Sequence, residues 1–316
     1  MRRIWDRFER FLFTPESDRW LSVLRIGLGL QVLLYALSLR GDWNYLFAST
    51  NEGLIGRQLG EAIVNLHSRL VPEVAWLVEA GAALGLPEGT VLTAAWIGLL
   101  GAGVCLSVGC FSRTAAILAW FIHLSVTTSG SFVAYGVDNF MTIGLFYLML
   151  SPLPDRFSVD GRSDETSPAS SPLLGFWRRV LQIHLCFIYF FGGLTKCLGS
   201  GWWDGSNLWR ALIRPPFDVL DPEWIVRCQA FLPAAGIAIC LLELCYPIFI
   251  WGKRTGKVWL VLICVMHLGI GLAMGMYLFA SVMIILNIAA FAPAPPAQAL
   301  GVDSAAGEVA LPAVVR

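Results

Sequence analysis

Long apolar stretches separated by short polar loops make up most of the chain from residue 21 onward. A helix that crosses a bilayer needs about 20 mostly apolar residues, and eight stretches approach that length. They cover residues 21–39, 91–110, 114–131, 137–152, 178–196, 231–250, 258–275 and 276–292. The pattern predicts an all-α fold, a polytopic membrane bundle of about eight transmembrane helices.

Three regions outside these stretches have their own patterns. Residues 1–20 carry Trp5, Phe8 and Leu12 on one side and arginines on the other, which predicts an amphipathic helix lying on the membrane surface. No small-residue cleavage site follows, so this region is not a signal peptide. The transmembrane domain then covers residues 21–292, with long loops at 40–90 and 197–230, and the first loop is expected to form interfacial helices. The Ala/Pro-rich tail, 293–316, is predicted to be disordered.

The composition agrees with a membrane protein. Apolar residues make up 57% of the 316 residues and charged residues 14%, whereas soluble domains contain roughly 45–50% and about 25%. This argues against a soluble enzyme and against a disordered chain. Lysine plus arginine equals aspartate plus glutamate at 22 each, so no basic excess suggests a nucleic-acid partner. The cysteines and histidines show no metal-site spacing, and no metal is expected.

Lysine and arginine are unevenly distributed among the loops. With the N-terminus in the cytoplasm and alternating spans, the inner segments hold 14 of these residues and the outer segments 6. Cytoplasmic loops are enriched in positive charge. The bias predicts that both termini are cytoplasmic and that loops 40–90 and 197–230 are outside.

Ionisable residues inside membrane spans are costly, and each is a candidate functional residue. They are Arg25, His123, Asp138, His184, Lys196, Glu243 and His267. Arg25 is expected to extend its side chain to the headgroups, and the alternative is a buried ion pair with Glu243. A structural role is the simpler interpretation of each histidine, because a buried histidine usually forms hydrogen bonds.

Lys196 follows the apolar run Ile188–Leu194 and precedes Trp202 and Trp203. An amine that loses its hydration gives up its proton more readily, and a neutral amine can act as a general base. The glycine pair Gly192-Gly193 has no side chains, so another group can approach the backbone closely there. The alternative is a lysine at a helix end that extends to the membrane surface. In the predicted outer loop 197–230, Cys197 and Cys228 could form a disulfide outside the cytoplasm.

The segment from Ile188 to Lys196, followed by Trp202-Trp203-Asp204-Gly205, resembles the signature of the vitamin K-dependent γ-carboxylases. The bacterial relatives of these enzymes form the HTTM family, and SdpB-like proteins are nearby. Other blocks are similar in the same order: Trp5–Phe8, Leu24–Leu28, Phe157–Gly161, Met266–Leu268 and Gly275–Phe279. The resemblance runs from about residue 5 to residue 292.

The resemblance implies a chemistry. In the carboxylases the lysine that matches Lys196 deprotonates a reduced naphthoquinone, whose oxygenation drives the addition of carbon dioxide to a glutamate side chain. The cofactors it implies are menaquinol or vitamin K hydroquinone, with oxygen and carbon dioxide, and the partners are the lipid bilayer, a membrane quinone and a peptide or protein substrate. We therefore assign catalytic roles to Lys196, His267 and Asp138. We expect Trp202, Trp203, Tyr189 and Gly193 to contact the quinone.

Two departures from the family keep a second function open. A histidine of the family falls at or beside Asp138, and the long lumenal domain of the carboxylases has no counterpart in these 316 residues. The alternative is a non-catalytic accessory protein that helps to mature or export a peptide together with a separate partner, as in SdpB-like proteins.

Overall fold

The computed structural model describes residues 2–49, 57–66, 68, 70–162 and 170–293. Its elements are α1 (Arg2–Leu12), β1 (Glu16–Ser17), α2 (Arg19–Ser38), α3 (Trp43–Phe47), α4 (Arg57–Asn65), α5 (Val74–Ala83), α6 (Glu88–Val108), α7 (Ser112–Ser129), α8 (Gly136–Leu150), α9 (Val159–Arg162), β2 (Ser170–Ser171), α10 (Pro172–Cys197), α11 (Ser200–Trp203), α12 (Ser206–Ile213), α13 (Pro222–Cys228), α14 (Leu232–Leu244), α15 (Tyr246–Phe249), α16 (Thr255–Met274) and α17 (Tyr277–Phe291). A turn of 3-10 helix covers Gln229–Phe231, and the two short strands pair antiparallel. The prediction of an all-α membrane bundle is confirmed; the predicted tail beyond residue 293 lies outside the described residues.

Five helical stretches are long and apolar enough to cross a membrane. They are Arg19–Ser38, Glu88–Val108, Pro172–Cys197, Pro222–Leu244 and Thr255–Met274. Each overlaps a predicted span, and the other three predicted spans correspond to α7, α8 and α17. With 15 residues each, α8 and α17 are only about 22 Å long, shorter than the hydrocarbon layer of about 30 Å. These two helices therefore depend on their neighbours for their place in the bundle.

The apolar stretch 231–250 does not form one continuous helix, so the predicted bounds of this span were wrong. α14 ends at Leu244 and α15 starts at Tyr246, with Pro247 in its first turn. Proline lacks the amide hydrogen that would bond to the carbonyl four residues earlier, and its ring clashes with that carbonyl, here the one of Glu243. The break therefore lies directly beside a charged side chain.

α10 begins earlier than predicted. Its first residue is Pro172, and the Ser171 side chain accepts a hydrogen bond from the Leu174 amide as the N-terminal cap. Arg178 and Arg179 therefore lie inside the helix, and Glu16, on β1, forms an ion pair with each of them. The antiparallel pair of β1 and β2 holds Glu16 at this position.

The core surrounds α2, which packs against α6, α8 and α17. Leu21, Leu24 and Leu28 on this helix are fully buried. α10 packs mainly on α14, α15 and α17, and α16 forms a hairpin with α17. Between α2 and α6, the first long loop contains α3, α4 and α5, which pack against α6 and α7. The loop is thus helical as expected, and its depth in the membrane stays a prediction.

Arg25 is completely buried, so the expectation that it reaches the headgroups was wrong. Its guanidinium contacts the Asp155 carboxylate at 2.5 Å and donates to the carbonyl of Leu106, also at 2.5 Å. The alternative partner, Glu243, is wrong as well. Asp155 lies in the loop after α8, outside the apolar stretches in which a partner for a buried charge was expected.

The block Phe157–Gly161 fixes the turn between α6 and α7. The Asp160 carboxylate accepts hydrogen bonds from the amides of Phe111 and Ser112, at 3.0 and 2.8 Å, and from the Ser112 hydroxyl. Phe111 has a φ of 49°, a conformation that is costly for a bulky residue. Partial burial alone would raise the pKa of Asp160, but the hydrogen bonds from Ser112 and Phe111 outweigh it and hold that pKa below its ordinary value.

Candidate functional site

Lys196 lies one residue before the end of α10, where the helix packs on α14. Its Nζ atom donates to Oε2 of Glu243 at 2.6 Å. The side chain of Lys196 is 26% exposed and that of Glu243 is 8% exposed, so the carboxylate is the more deeply buried partner. The Trp202 ring centroid lies 5.5 Å from Nζ, within the range of a cation–π contact.

Glycine residues bring the surrounding backbones together. A Cβ atom at Gly193 would lie 2.4 Å from the Leu244 amide nitrogen, and one at Gly236 would lie 2.2 Å from the Trp202 carbonyl oxygen. The close approach predicted at Gly193 is therefore that of α14. These two contacts fix α14 against α10 and α11, and they set the distance between Lys196 and Glu243.

The segment after α10 folds back over the Lys196–Glu243 pair. The Trp203 indole donates to the Cys197 carbonyl at 2.8 Å, and Gly205 adopts a φ of 81°, which favours glycine. Cys197 and Cys228 are both free, so the possible disulfide does not form, and Cys197 lies beside Cys240 instead. Trp202 therefore lies close to Lys196, and Trp203 is held at the end of α10. The contact of either tryptophan with a quinone stays a prediction.

A second polar network lies deeper in the bundle. The Tyr189 hydroxyl is 2.7 Å from Nε2 of His267, and Asn287 donates to the same hydroxyl at 2.7 Å. The Tyr246 hydroxyl donates to Oδ1 of Asn287, also at 2.7 Å. All four side chains are buried, and Nδ1 of His267 has no hydrogen-bond partner among the described residues.

The two networks are neighbours. Tyr189, which belongs to the inner network, lies two turns before Lys196 on the same helix, α10. The structure thus brings together Lys196, His267 and Tyr189. Neither Asn287 nor Tyr246 was assigned a role from the sequence. The neighbouring Pro247 was the available signal that α14 ends there and that the tyrosine turns inward.

Asp138 lies apart from this group. It caps α8, accepting from the Tyr135 amide at 2.8 Å and from the Tyr35 hydroxyl at 2.8 Å. None of its hydrogen bonds within the described residues reaches Lys196 or His267. The Phe279 ring contacts both His267 and the first turn of α8. A catalytic role for Asp138 stays a prediction, and its observed contacts are those of a helix cap.

The other two histidines have ordinary partners. His123 contacts the Thr142 hydroxyl at 3.0 Å and His184 contacts the Tyr147 hydroxyl at 2.8 Å. The described part of the chain contains no group of three or more histidine, cysteine or acidic side chains that could hold a metal ion.

A bundle of long apolar helices with a charged pair buried between two of them defines an integral membrane protein. The family model described as the HTTM domain matches residues 81–294, which is 214 of the 316 residues. The chain belongs to the HTTM family, and the matched region includes Lys196, Glu243 and His267. Neither a curated protein nor a solved structure matches the chain.

Proposed function

We propose that this protein is a membrane enzyme that couples oxygenation of a reduced quinone to carboxylation of a substrate, with Lys196 as the base. The 2.6 Å contact between Lys196 and Glu243 carries the proposal. A base must first lose a proton, and Glu243 is the group positioned to take it. Transfer along this hydrogen bond leaves a neutral amine on Lys196 and a carboxylic acid on Glu243. Because burying two charges is costly, the neutral pair competes with the ion pair at this site.

The residues around Lys196 suit a quinol. A reduced naphthoquinone, menaquinol or vitamin K hydroquinone, would supply an acidic hydroxyl, oxygen would act as its oxidant, and carbon dioxide would supply the carboxyl group. Lys196 offers the proton acceptor, and Trp202 offers an aromatic face beside it. Nδ1 of buried His267, which has no hydrogen-bond partner in the described part of the chain, offers a further polar contact. Phe187 and Phe191 are exposed on α10 and give an apolar route from the lipid.

Tyr189 and Gly193 then act as positioning residues. Tyr189 holds the ring of His267, and Gly193 keeps α14 close enough for Glu243 to reach Lys196. Trp203 ties the covering segment to the end of α10 through the Cys197 carbonyl. These contacts support the assignment of the whole group to one site.

An accessory role is the second candidate. Leu198, Ile213 and Val219 are large apolar residues that are exposed in the segment between α10 and the next candidate membrane span. Exposed apolar surface of this kind serves equally to dock an exported peptide or a partner subunit. In that function the Lys196–Glu243 pair is purely structural.

The test uses purified full chain in nanodiscs with reduced menaquinone, oxygen and labelled bicarbonate. Quinone epoxide and fixed label are measured for the wild type, for Lys196→Ala and for Lys257→Ala, which removes an exposed lysine outside the site. We expect epoxide from the wild type and the control, with a loss of about a hundredfold or more in Lys196→Ala. Fixed label then shows whether carboxylation accompanies oxygenation. Equal epoxide from all three folded proteins contradicts Lys196 as the base, and no epoxide from any of them favours the accessory role.

A further inference from the structure

An apolar cavity of about 650 Å³ opens between α2 and α17, away from the site described above. Its lining includes Trp20, Val23 and Gly27 on α2 and Ile285 and Ile288 on α17. It ends where Gly27 brings the two helices together, since a Cβ atom there would lie 2.6 Å from the Ile285 side chain. The cavity is therefore a cleft in the wall of the bundle.

The cleft is distinct from the Lys196 site. Arg178 lines it, and Arg178 and Lys196 belong to the same continuous helix, α10. Eighteen residues separate them, which is about 27 Å along a helix that rises about 1.5 Å per residue. A headgroup held in this cleft is out of reach of Lys196.

Two polar groups at the cleft lack partners among the described residues. Arg19 lines the mouth and forms no ion pair or hydrogen bond with the described residues, whereas Glu16 is paired with Arg178 and Asp18 with Arg156. Trp20 is only 4% exposed, and its indole Nε1 has no hydrogen-bond partner in the described part of the chain. A buried donor without an acceptor is costly, so a ligand that accepts a hydrogen bond here is stabilising.

We propose that this cleft binds an anionic phospholipid, with the phosphate at Arg19 and Trp20 and an acyl chain along α2 and α17. The apolar lining suits a hydrocarbon chain, and a cavity of several hundred Å³ is in the range of small-molecule sites. The Arg19 guanidinium supplies charge complementarity to the phosphate. The cleft also lies at the arginine-rich end, where anionic lipids gather if the predicted orientation holds.

The experiment measures lipid that remains bound to the full chain after detergent purification, using native mass spectrometry. The protein is first equilibrated with equal amounts of phosphatidylglycerol and phosphatidylcholine. We expect the wild type to retain one phospholipid with a preference for phosphatidylglycerol. Arg19→Gln is expected to lower that preference about fivefold, because one cation–phosphate interaction is lost. Arg214→Gln, an exposed arginine far along the chain, is the matched control and is expected to keep it.

A second variant tests the acyl chain. Val23 is partly exposed within the cleft, so Val23→Trp fills space without overpacking the core. We expect it to remove most bound lipid of both kinds, with unchanged helical content by circular dichroism. The proposal is overturned if the wild type shows no preference for phosphatidylglycerol over phosphatidylcholine, or if Arg19→Gln shows the same preference as the wild type. Lipid retention by Val23→Trp equal to wild type, or retention of menaquinone in place of phospholipid, overturns it as well. None of these outcomes depends on quinol chemistry at Lys196.

Discussion

The Nζ atom of Lys196 lies 2.6 Å from Oε2 of Glu243, at the crossing of α10 and α14. The two residues are 47 positions apart, and only the packing of the two helices brings them together. Removal of either partner leaves the other without a counter-charge in an apolar environment. The contribution of the pair to stability can therefore be measured by unfolding, independently of the proposed chemistry of Lys196.

A double-mutant cycle tests the pair as a structural element. Lys196→Met is expected to lower the free energy of unfolding by about 1–3 kcal/mol, because Glu243 loses its partner; the value is below that of a fully buried pair since Lys196 is partly exposed. Glu243→Met should cost a similar amount, and the double variant should cost less than the sum. Chemical unfolding in mixed micelles provides the measurement. Strictly additive losses would show that the two side chains do not interact.

Gly193→Ala is expected to destabilise the protein and to separate α10 from α14. The added methyl group meets the Leu244 backbone, which cannot move aside as a flexible side chain can. Overpacking of this kind costs about 1–3 kcal/mol. Gly269→Ala is the matched control, because a Cβ atom there has nothing within 4 Å, and it should be neutral or slightly stabilising. Thermal unfolding of both variants makes the comparison; equal melting temperatures contradict the close contact at Gly193.

Asp160→Asn is expected to lower stability at neutral pH by about 1 kcal/mol, because the amide caps α7 less well than a carboxylate. The pKa of Asp160 is lowered in the folded state, so the unfolded chain binds more protons in the acidic range and the stabilisation exists above the ordinary aspartate pKa. It is lost as the pH falls through the lower folded-state pKa. The difference between wild type and variant should therefore be full above about pH 4 and shrink below it. A difference that is constant from pH 3 to pH 7 refutes this role of the carboxylate.

Tyr189→Phe is expected to disorder the His267 ring, because the variant loses the hydroxyl that contacts both His267 and Asn287. Leaving buried polar groups without a partner costs about 1–3 kcal/mol. Tyr277→Phe, at an exposed tyrosine at the start of α17, is the control. Thermal unfolding measures the stability, and the histidine NMR signals report the ring's environment. Unchanged His267 signals in Tyr189→Phe would show that the hydroxyl does not hold the ring.

The helices were predictable because burial in a bilayer demands long apolar runs, and these are visible in the sequence. Lys196 and Glu243 were also visible, since a charge in an apolar run stands out. Their pairing was not, and Glu243 was considered as a partner for Arg25. The true partner of Arg25, Asp155, lies in a loop with no apolar context, and only the fold of the loop onto α2 and α6 brings it there.

The inner hydrogen-bond network was not predictable for a different reason. Tyr246 and Asn287 each belong to an apolar helix, and no spacing along the chain relates them to Tyr189 or His267. Their contacts depend on the rotation of four helices, α10, α15, α16 and α17, about their axes. The interruption at Cys245 also mattered, because the hydropathy of 231–250 is continuous and only Pro247 marked the break.

The 26 residues of α10 form a rod about 39 Å long, whereas the hydrocarbon layer is about 30 Å thick. An upright α10 extends beyond this layer, and a tilted one fits within it only at a steep angle. Hydrophobic mismatch therefore controls the depth of Lys196: a thin bilayer leaves the end of α10 among the headgroups, and a thick bilayer draws it toward the acyl chains. Membranes of different thickness will thus place the same lysine in different dielectric surroundings, and lipid chain length becomes a variable that adjusts its proposed role as a base.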